Sequence, residues 1–296
     1  MIDIQSLSLK NIDTIFETTD NIKYANTELD FKNFILCNAF FEPSTRTSLS
    51  FETAMLKLGG KVINFNPSNS SINKGETFYD TMKTIEQYSD IIVLRHPDKN
   101  KIYEAKNFLD IPIINGGNGK HEHPTQALLD LYTISKNFDL KNDSINICFI
   151  GDIKHSRTIH SLINILFIYN VSCSIHFLCY PSCQPDMNSF QVYNNNFEFI
   201  FIENLDNIHN YDLIYSSRVQ KERFTDDINF DISKYQLNTH NVSKMKPNSI
   251  ILHALPRNDE ISPDIDNDHR SLYFKQLNDG VLIRMSIIYC IIFKLI

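Results

Sequence analysis

Short apolar runs alternate with segments of helical periodicity along most of the chain. A run that is apolar on both faces, such as 145–150, is typical of a parallel strand covered by helices on both sides. The alternation therefore predicts right-handed βαβ units and open parallel sheets. The predicted strands are 34–41, 61–66, 90–96, 111–115, 144–150, 174–179, 197–202, 212–216 and 249–254, and the predicted helices are 47–58, 76–88, 125–138 and 158–169.

A polar stretch at 137–143 interrupts this pattern after a long helical segment. The chain has 296 residues, and two domains of roughly 150 residues suit that length better than one core. We therefore expect an α/β protein with two Rossmann-like, doubly wound parallel-sheet domains, 1–137 and 138–275, and a C-terminal helix at 276–296 that packs back on the first. Ligands of such sheets bind at the carboxyl ends of strands, so we expect the active site in the cleft between the domains.

Composition adds two kinds of marker, the glycines and the arginines. The chain has 8 glycines, where an average usage of about 7 % would give roughly twenty, so each glycine marks a constrained backbone position. Three of them, Gly116, Gly117 and Gly119, are expected in one tight loop after the strand 111–115. There are also 8 arginines, and a planar two-pronged donor is informative where it is used so rarely.

Overall charge and targeting signals limit the class of partner. The formal net charge is −7 and the pI is about 5.8, which argues against a nucleic-acid binder but leaves room for small anionic substrates bound by a few arginines. No signal peptide is visible, and the apolar tail is too short to span a membrane. The 6 cysteines lack paired spacing, which favours reduced buried thiols over disulfides or a metal site. We expect a cytoplasmic protein with no membrane partner.

The clearest candidate chemistry follows the first predicted strand. Ser44, Thr45, Arg46 and Thr47 lie between that strand and a helix. There, unpaired backbone N–H groups and the positive end of the helix dipole favour an anion, and an arginine can bind two phosphate oxygens at once. The alternative is an ordinary Ser/Thr helix cap, and the arginine inside the motif favours anion binding.

Polar and basic residues recur after other predicted strands in both halves of the chain. Lys74, taken alone, fits a solvated side chain better than a ligand, and His121 with His123 lacks a third metal ligand at a suitable spacing. The loop at 151–158 lacks the GxGxxG dinucleotide fingerprint. Recurrence at successive strand ends nevertheless favours bound anions over solvation. The residues concerned are Ser70, Ser71, Lys74, Arg95, His123, Gln126, Arg157, Arg218, Gln220 and the run 253–257.

Motifs spread over nearly the whole chain resemble, in sequence order, those of catalytic chains of the aspartate carbamoyltransferase family. The pair STRT and HPTQ is specific to carbamoyltransferases, and RVQKER is specific to the aspartate branch. The resemblance implies transfer of the carbamoyl group of carbamoyl phosphate to the α-amino group of L-aspartate. The products are N-carbamoyl-L-aspartate and phosphate, in pyrimidine biosynthesis, and no metal or organic cofactor takes part. The motifs are FEPSTRT (41–47), KGET (74–77), RHP (95–97), HPTQ (123–126), GDIK with RTIHSL (151–162), RVQKER (218–223) and HALPR (253–257).

The resemblance also implies roles for the matched residues that would bind carbamoyl phosphate. The run 44–47 would hold the phosphate, and Thr47, Arg95 and His123 would polarise the carbonyl and stabilise a tetrahedral oxyanion. Gln126 and the backbone of the loop after the last strand would hold the carbamoyl amide. The implied carbamoyl phosphate ligands are Ser44, Thr45, Arg46, Thr47, Ser70, Ser71, Arg95, His123, Gln126, Ala254, Leu255 and Pro256.

The remaining implied roles concern aspartate and a neighbouring subunit. Guanidinium groups suit the two carboxylates of aspartate. Lys74, with Ser70 or Ser71, would reach into the site of a neighbouring chain, so the resemblance implies a homotrimer with shared active sites. It leaves open a separate regulatory chain. The implied catalytic residues are Arg46, Thr47, Lys74, Arg95 and His123, and the implied aspartate ligands are Lys74, Arg157, Arg218 and Gln220.

Three departures from the family pattern and two rival readings stand beside this interpretation. Ala254 replaces a common Pro, Ser156 a frequent Gly, and Asn118 a frequent Asp.

The ornithine branch is expected to carry a Cys within the loop motif at 253–256 and a Ser-Met-Gly loop, and this sequence has neither. A non-catalytic homologous binding subunit is the second rival, and the complete set of implied catalytic residues argues against it.

Overall fold

The structure, a computed structural model, describes residues 1–25, 29–193, 197–220 and 231–296. The chain divides into two compact units. The first comprises Met1–Tyr132 and Leu277–Ile296, and the second comprises Thr133–Gln276. Each unit is built on one parallel sheet with flanking helices, which confirms the predicted fold class.

The first unit is built on a sheet of four parallel strands in the order β2-β1-β3-β4. On one side, Ile92 and Leu94 of the central strand β3 pack with Met82 and Ile102 from two helices. The elements of this unit, in chain order, are α1 (Leu9–Lys23), β1 (Ile35–Phe40), α2 (Thr45–Lys57), β2 (Lys61–Phe65), α3 (Phe78–Glu86), β3 (Ile91–His96), α4 (Asn100–Phe108), β4 (Ile113–Asn118) and α5 (Pro124–Ser135), which ends in the second unit.

The second unit is built on a sheet of five parallel strands in the order β7-β6-β5-β8-β9. Its central strand β5 is apolar and buried over most of its length, as the run of apolar residues predicts. The elements of this unit are β5 (Ser144–Gly151), α6 (Arg157–Ile168), β6 (Ser172–Leu178), β7 (Phe197–Phe201), β8 (Leu213–Ser217), α7 (Thr239–Val242), β9 (Ile250–His253) and the first two residues of α8 (Lys275–Ile292), whose remainder belongs to the first unit.

The expectation of a glycine loop after residue 115 is wrong. β4 continues to Asn118, so Gly116 and Gly117 lie inside the strand. The register with β3 shifts there, since Leu94 pairs with Asn115 but His96 pairs with Asn118. This bulge accommodates one extra residue on β4, and glycine is common at such positions.

Two helices of the first unit were absent from the sequence-based expectation. In α1, Ile12, Ile15, Thr19 and Ile22 form a buried face at helical spacing, and Ser8 begins the helix with a capping box. The other helix, α4, is short and buries few residues. The signal for α1 was therefore present in the sequence and was overlooked, whereas α4 has too few apolar positions to show a clear period.

The described part of the chain was searched for membrane-spanning helices, metal-binding clusters and disulfides. No helix there is both long enough and apolar enough to cross a membrane. No group of three or more His, Cys, Asp or Glu side chains there is arranged to hold a metal ion. All six cysteines are free and buried.

Gly151 allows the close approach of two loops in the second unit, and it provides a stability test. It has φ +108°, and a Cβ there would lie 1.9 Å from the backbone oxygen of Ser217. Gly75 has φ +94°, and a Cβ there would meet nothing within 4 Å. Gly75→Ala should therefore cost only about 1 kcal/mol of backbone strain. Gly151→Ala should cost more than about 3 kcal/mol, because a backbone atom must also move.

Denaturant unfolding of both variants beside the unchanged protein measures this difference. Gly75→Ala is the matched control, since the two glycines share a left-handed backbone and differ in the space around them. Equal losses of stability in the two variants would contradict the close approach of Gly151 to Ser217.

Candidate active site

The motif at 44–47 lies where β1 leads into α2. Ser44 is the N-cap residue of α2, yet its side chain makes no capping hydrogen bond. The ordinary-cap alternative therefore does not account for this serine. Thr45 and Arg46 are exposed in the first turn, while Thr47 is buried. First-turn N–H groups and an arginine at a helix start form a site suited to an anion.

Thr47 and His123 bring the starts of two helices together. The Thr47 Oγ1 and His123 Nε2 atoms are 3.4 Å apart, and the residues are 6 % and 5 % exposed. His123 also begins α5, because its carbonyl accepts from the N–H groups of Gln126 and Ala127 at 3.0 and 3.1 Å. A small ligand at the start of α2 would therefore meet the imidazole at the start of α5.

Strand register places Arg95 at the same edge of the sheet. Phe40, the last residue of β1, pairs with Arg95 on β3, so the chain leaving β1 toward α2 passes beside this arginine. The Arg95 Nε atom is 2.7 Å from Glu42 Oε1, and both side chains are largely buried. Burial lowers the pKa of the Arg95 guanidinium, and the Glu42 carboxylate opposes that shift. Glu42 thus stabilises a buried positive charge beside the anion site.

Glu42 is a site residue that the motif analysis did not single out. It belongs to the FEPSTRT segment, but its partner Arg95 is distant in the sequence. The signal that could have found it is its charge, since a carboxylate directly before an anion-binding motif weakens anion binding unless a cation neutralises it. The structure supplies that cation at 2.7 Å.

Ser70, Ser71 and Lys74 lie in a segment of short turns that precedes α3. The Ser70 hydroxyl donates to the Pro67 carbonyl at 2.8 Å, and the Asn73 amide donates to the Ser68 carbonyl at 2.8 Å. Ser71 and Lys74 are exposed. The segment is therefore ordered by bonds to itself and presents a cation on its surface.

In the second unit, the loops that carry Arg157 and Arg218 are fastened to each other. Gly151 of β5 pairs with Ser217 of β8, so Arg157 at the start of α6 and Arg218 directly after β8 follow neighbouring strand ends. Both arginines are half-buried. The Gln220 side chain joins the loops by donating to the His155 carbonyl at 3.0 Å.

A buried carboxylate, Asp152, organises these two loops. It is fully buried and accepts from the backbone N–H groups of His155 at 3.1 Å and Gln220 at 3.2 Å. Its oxygens are also 3.0 and 3.1 Å from His155 Nδ1. Asp152 lies in the quoted GDIK motif, but sequence reasoning gave it no role. The last three residues of the RVQKER motif lie outside the described residues.

The loop after β9 is held by a buried His–Glu pair. Leu255 N–H donates to His253 Nδ1 at 2.7 Å, so the ring proton is on Nε2, which donates to Glu260 Oε1 at 2.8 Å. Burial raises the pKa of the Glu260 carboxyl, but the bond from His253 and its other partners outweigh burial and lower it. The backbone of the loop 254–256 is therefore anchored at Leu255 by its bond to the His253 ring. Arg257, at the end of this motif, is paired with Asp266.

Together, the described geometry defines a class of protein: a parallel α/β protein whose first unit gathers the start of α2, Arg95 and His123 at one sheet edge and whose second unit places Arg157 and Arg218 after neighbouring strand ends. Family models agree with that class. The aspartate/ornithine carbamoyltransferase carbamoyl-P binding domain matches residues 1–136, and the Asp/Orn binding domain of the same family matches residues 143–291. The chain belongs to the aspartate/ornithine carbamoyltransferase family.

Within that family, similar proteins come from the aspartate branch. The aspartate carbamoyltransferase catalytic subunit of Picrophilus torridus is 41 % identical, over 99 % of this chain and 97 % of its own length. That of Thermococcus kodakarensis is 40 % identical, over 97 % and 95 %. The crystal structure of Trypanosoma cruzi aspartate transcarbamoylase with aspartate and phosphate superposes with a TM-score of 0.88 at 35 % identity, over 98 % of this chain and 93 % of that one. The predicted family resemblance is confirmed.

Proposed function

We propose that this chain transfers the carbamoyl group of carbamoyl phosphate to the α-amino group of L-aspartate. The observation that carries the proposal is the approach of Thr47 and His123 beside Arg95, at the start of α2. In the reaction, the amine nitrogen forms a bond to the carbonyl carbon, the carbon–oxygen bond to phosphate breaks, and the proton that the amine loses passes to the departing phosphate. The products are N-carbamoyl-L-aspartate and phosphate.

The start of α2 binds the phosphate group of the substrate. Backbone N–H groups of its first turn, the hydroxyls of Ser44, Thr45 and Thr47, and the Arg46 guanidinium all donate to phosphate oxygens. None of these groups bonds to the attacking amine. Their part is to hold the leaving phosphate, whose negative charge increases as the carbon–oxygen bond breaks.

Thr47, Arg95 and His123 act on the carbonyl oxygen. As the amine attacks, that oxygen becomes an oxyanion, and donors already in position stabilise it without reorganising. Arg95 is held by Glu42 at 2.7 Å, so an incoming substrate competes with that carboxylate for the guanidinium. Gln126 and the backbone of 254–256 hold the carbamoyl amide.

Aspartate binds through the second unit. Arg157 and Arg218 follow neighbouring strand ends, and two guanidinium groups match the two carboxylates of this substrate. Gln220, fastened to the His155 carbonyl, completes the set, with Lys74 contributed by a neighbouring chain. The same arginines would repel the cationic side chain of ornithine, which disfavours the other branch of the family. The chemistry consists of positioning and electrostatics and requires no metal or organic cofactor.

A homotrimer with shared sites is part of the proposal. Lys74 is exposed on a segment bonded to itself, as a residue that serves a neighbouring chain would be. Leu49 and Leu56 on α2 and Ile63 on the edge strand β2 are 56 %, 56 % and 41 % exposed, and such apolar exposure is typical of a surface that another subunit covers. Six buried free thiols support a cytoplasmic setting for this step of pyrimidine biosynthesis.

A colorimetric assay for carbamoyl-aspartate tests the proposed reaction. The protein should form product with L-aspartate and should form no carbamoylated product with L-ornithine. Arg46→Ala should lower kcat/KM on the order of a hundredfold or more, because the leaving phosphate loses a bidentate donor. Lys32→Ala, which removes an exposed cation paired with Asp30, is the matched control and should change little. No product from folded protein with aspartate would overturn the proposal.

Mixing two inactive variants tests the shared site. Lys74→Ala and His123→Ala chains should each be inactive alone. Refolded together in equal amounts, they should recover up to about one quarter of the activity of the unsubstituted protein, since random assembly brings an intact Lys74 and an intact His123 together at that share of interfaces. Refolding each variant with itself is the control. A mixture that stays inactive although it forms trimers would contradict a site shared between chains.

A further inference from the structure

The side chain of Gln126, the residue proposed to hold the carbamoyl amide, is itself hydrogen-bonded to another side chain of the protein. It lies in the first turn of α5, and Asp130 follows one turn later on the same face. The Gln126 Nε2 atom donates to Asp130 Oδ1 at 2.8 Å. Asp130 is fully buried, whereas Gln126 is half-buried. A buried carboxylate therefore bonds one end of the glutamine amide and leaves the other end for a ligand.

The buried side chain of Asp130 lies within electrostatic influence of Arg284 from α8. Arg284 is 4 % exposed, and its guanidinium donates to Ser50 Oγ at 2.9 Å and to Thr125 Oγ1 at 3.4 Å. Burial lowers the pKa of Arg284 to about 10, and the charge of Asp130 opposes that shift. Arg284 is thus a cation at neutral pH, and its charge favours the ionised form of Asp130.

Gly280 makes room for this arginine. It lies one turn before Arg284 on α8, and a Cβ there would lie 2.8 Å from Arg284 Nη1 and 3.0 Å from Leu129 Cδ2. Its backbone carbonyl accepts from the same Nη1 at 3.3 Å. A glycine in the interior of a helix costs stability relative to alanine, so its presence is explained by the space that the guanidinium occupies.

The ionised state of Asp130 decides which way the Gln126 amide faces. A carboxylate only accepts hydrogen bonds, whereas a glutamine amide offers a donating NH2 at one end and an accepting oxygen at the other. The NH2 group must therefore face Asp130, as the structure has it. The remaining group, Oε1, can accept a hydrogen from a ligand but cannot donate one.

We infer that Asp130 is a positioning residue that, through Gln126, makes the site selective for an acyl phosphate that carries an N–H group on its acyl carbon. The inference rests on the proposed function, since it needs Gln126 to contact the carbamoyl amide. A carbamoyl group supplies the N–H that Oε1 accepts. Acetyl phosphate, which has a methyl group in place of the NH2, leaves Oε1 unsatisfied, and sites built to bond a substrate N–H reject analogues that lack it.

Calorimetric titration of the full-length protein with carbamoyl phosphate, acetyl phosphate and inorganic phosphate tests this selectivity. Asp130→Asn keeps the shape but lets the Gln126 amide face either way, so the preference for carbamoyl over acetyl phosphate should fall about three- to tenfold. Inorganic phosphate, which meets only the start of α2, should bind as before. Asp20→Asn, which removes a carboxylate bonded to Tyr132 at 2.8 Å, is the matched control and should leave the preference unchanged.

A double-mutant cycle separates positioning from a merely structural role. Gln126→Met removes both ends of the amide and should lower the preference by itself. Once Gln126 is replaced, adding Asp130→Asn should lower the preference no further, because Asp130 acts through that residue. Additive losses in the double variant, or an unchanged preference in either single variant, would overturn the inference.

The unchanged protein provides a test that does not depend on a variant folding. With nitrogen-15 in its glutamine side chains, the Gln126 NH2 signal is identified by its loss in Gln126→Met. Those protons should exchange slowly with water, since they are bonded to a buried carboxylate. Exchange as fast as that of exposed glutamines would overturn the inference. Failure of the proposed function would look different, as an unchanged protein that binds phosphate yet forms no carbamoyl-aspartate.

Discussion

The approach of Thr47 to His123, 3.4 Å between Oγ1 and Nε2, is the constraint on which the anion site of the first unit depends. It can form only because α2 and α5 both begin at the carboxyl edge of one parallel sheet. The bulge in β4 allows the extra residue that carries the chain from Asn118 toward His123. Two positive helix ends and the N–H groups of their first turns then converge on the same space.

Two buried guanidinium groups of the first unit each have a carboxylate that opposes the cost of burial. Arg95 is held by Glu42, and Arg284 is placed near Asp130. In each pair, a carboxylate from one element offsets the cost of burying a guanidinium from another. In the proposed mechanism, Arg95 is the cation at the ligand, and Asp130 orients the neutral amide of Gln126. A protein with a formal charge of −7 can therefore bind anions, because local pairing outweighs the distant net charge.

Much of the fold and of the motif positions could be predicted from the sequence, because strands, helix starts and basic residues at strand ends are local signals. The bulge at Gly116 and Gly117 could not be, since register is set by the neighbouring strand. The carboxylates Glu42 and Asp152 were missed for a related reason. Glu42 pairs with Arg95, and Asp152 accepts from the backbone of Gln220 as well as from nearby His155. Spacing along the chain does not show the contacts to Arg95 and Gln220, which are distant in sequence.

The central claim is that donors at the start of α2 and α5 polarise the carbonyl of a bound acyl phosphate. Infrared difference spectroscopy of carbamoyl phosphate with a carbon-13 carbonyl measures this directly. The carbonyl stretch should move to lower frequency on binding, and Thr47→Val, which removes a donor without changing the shape, should reduce that shift. A bound ligand whose carbonyl stretch stays at its solution frequency would contradict the account.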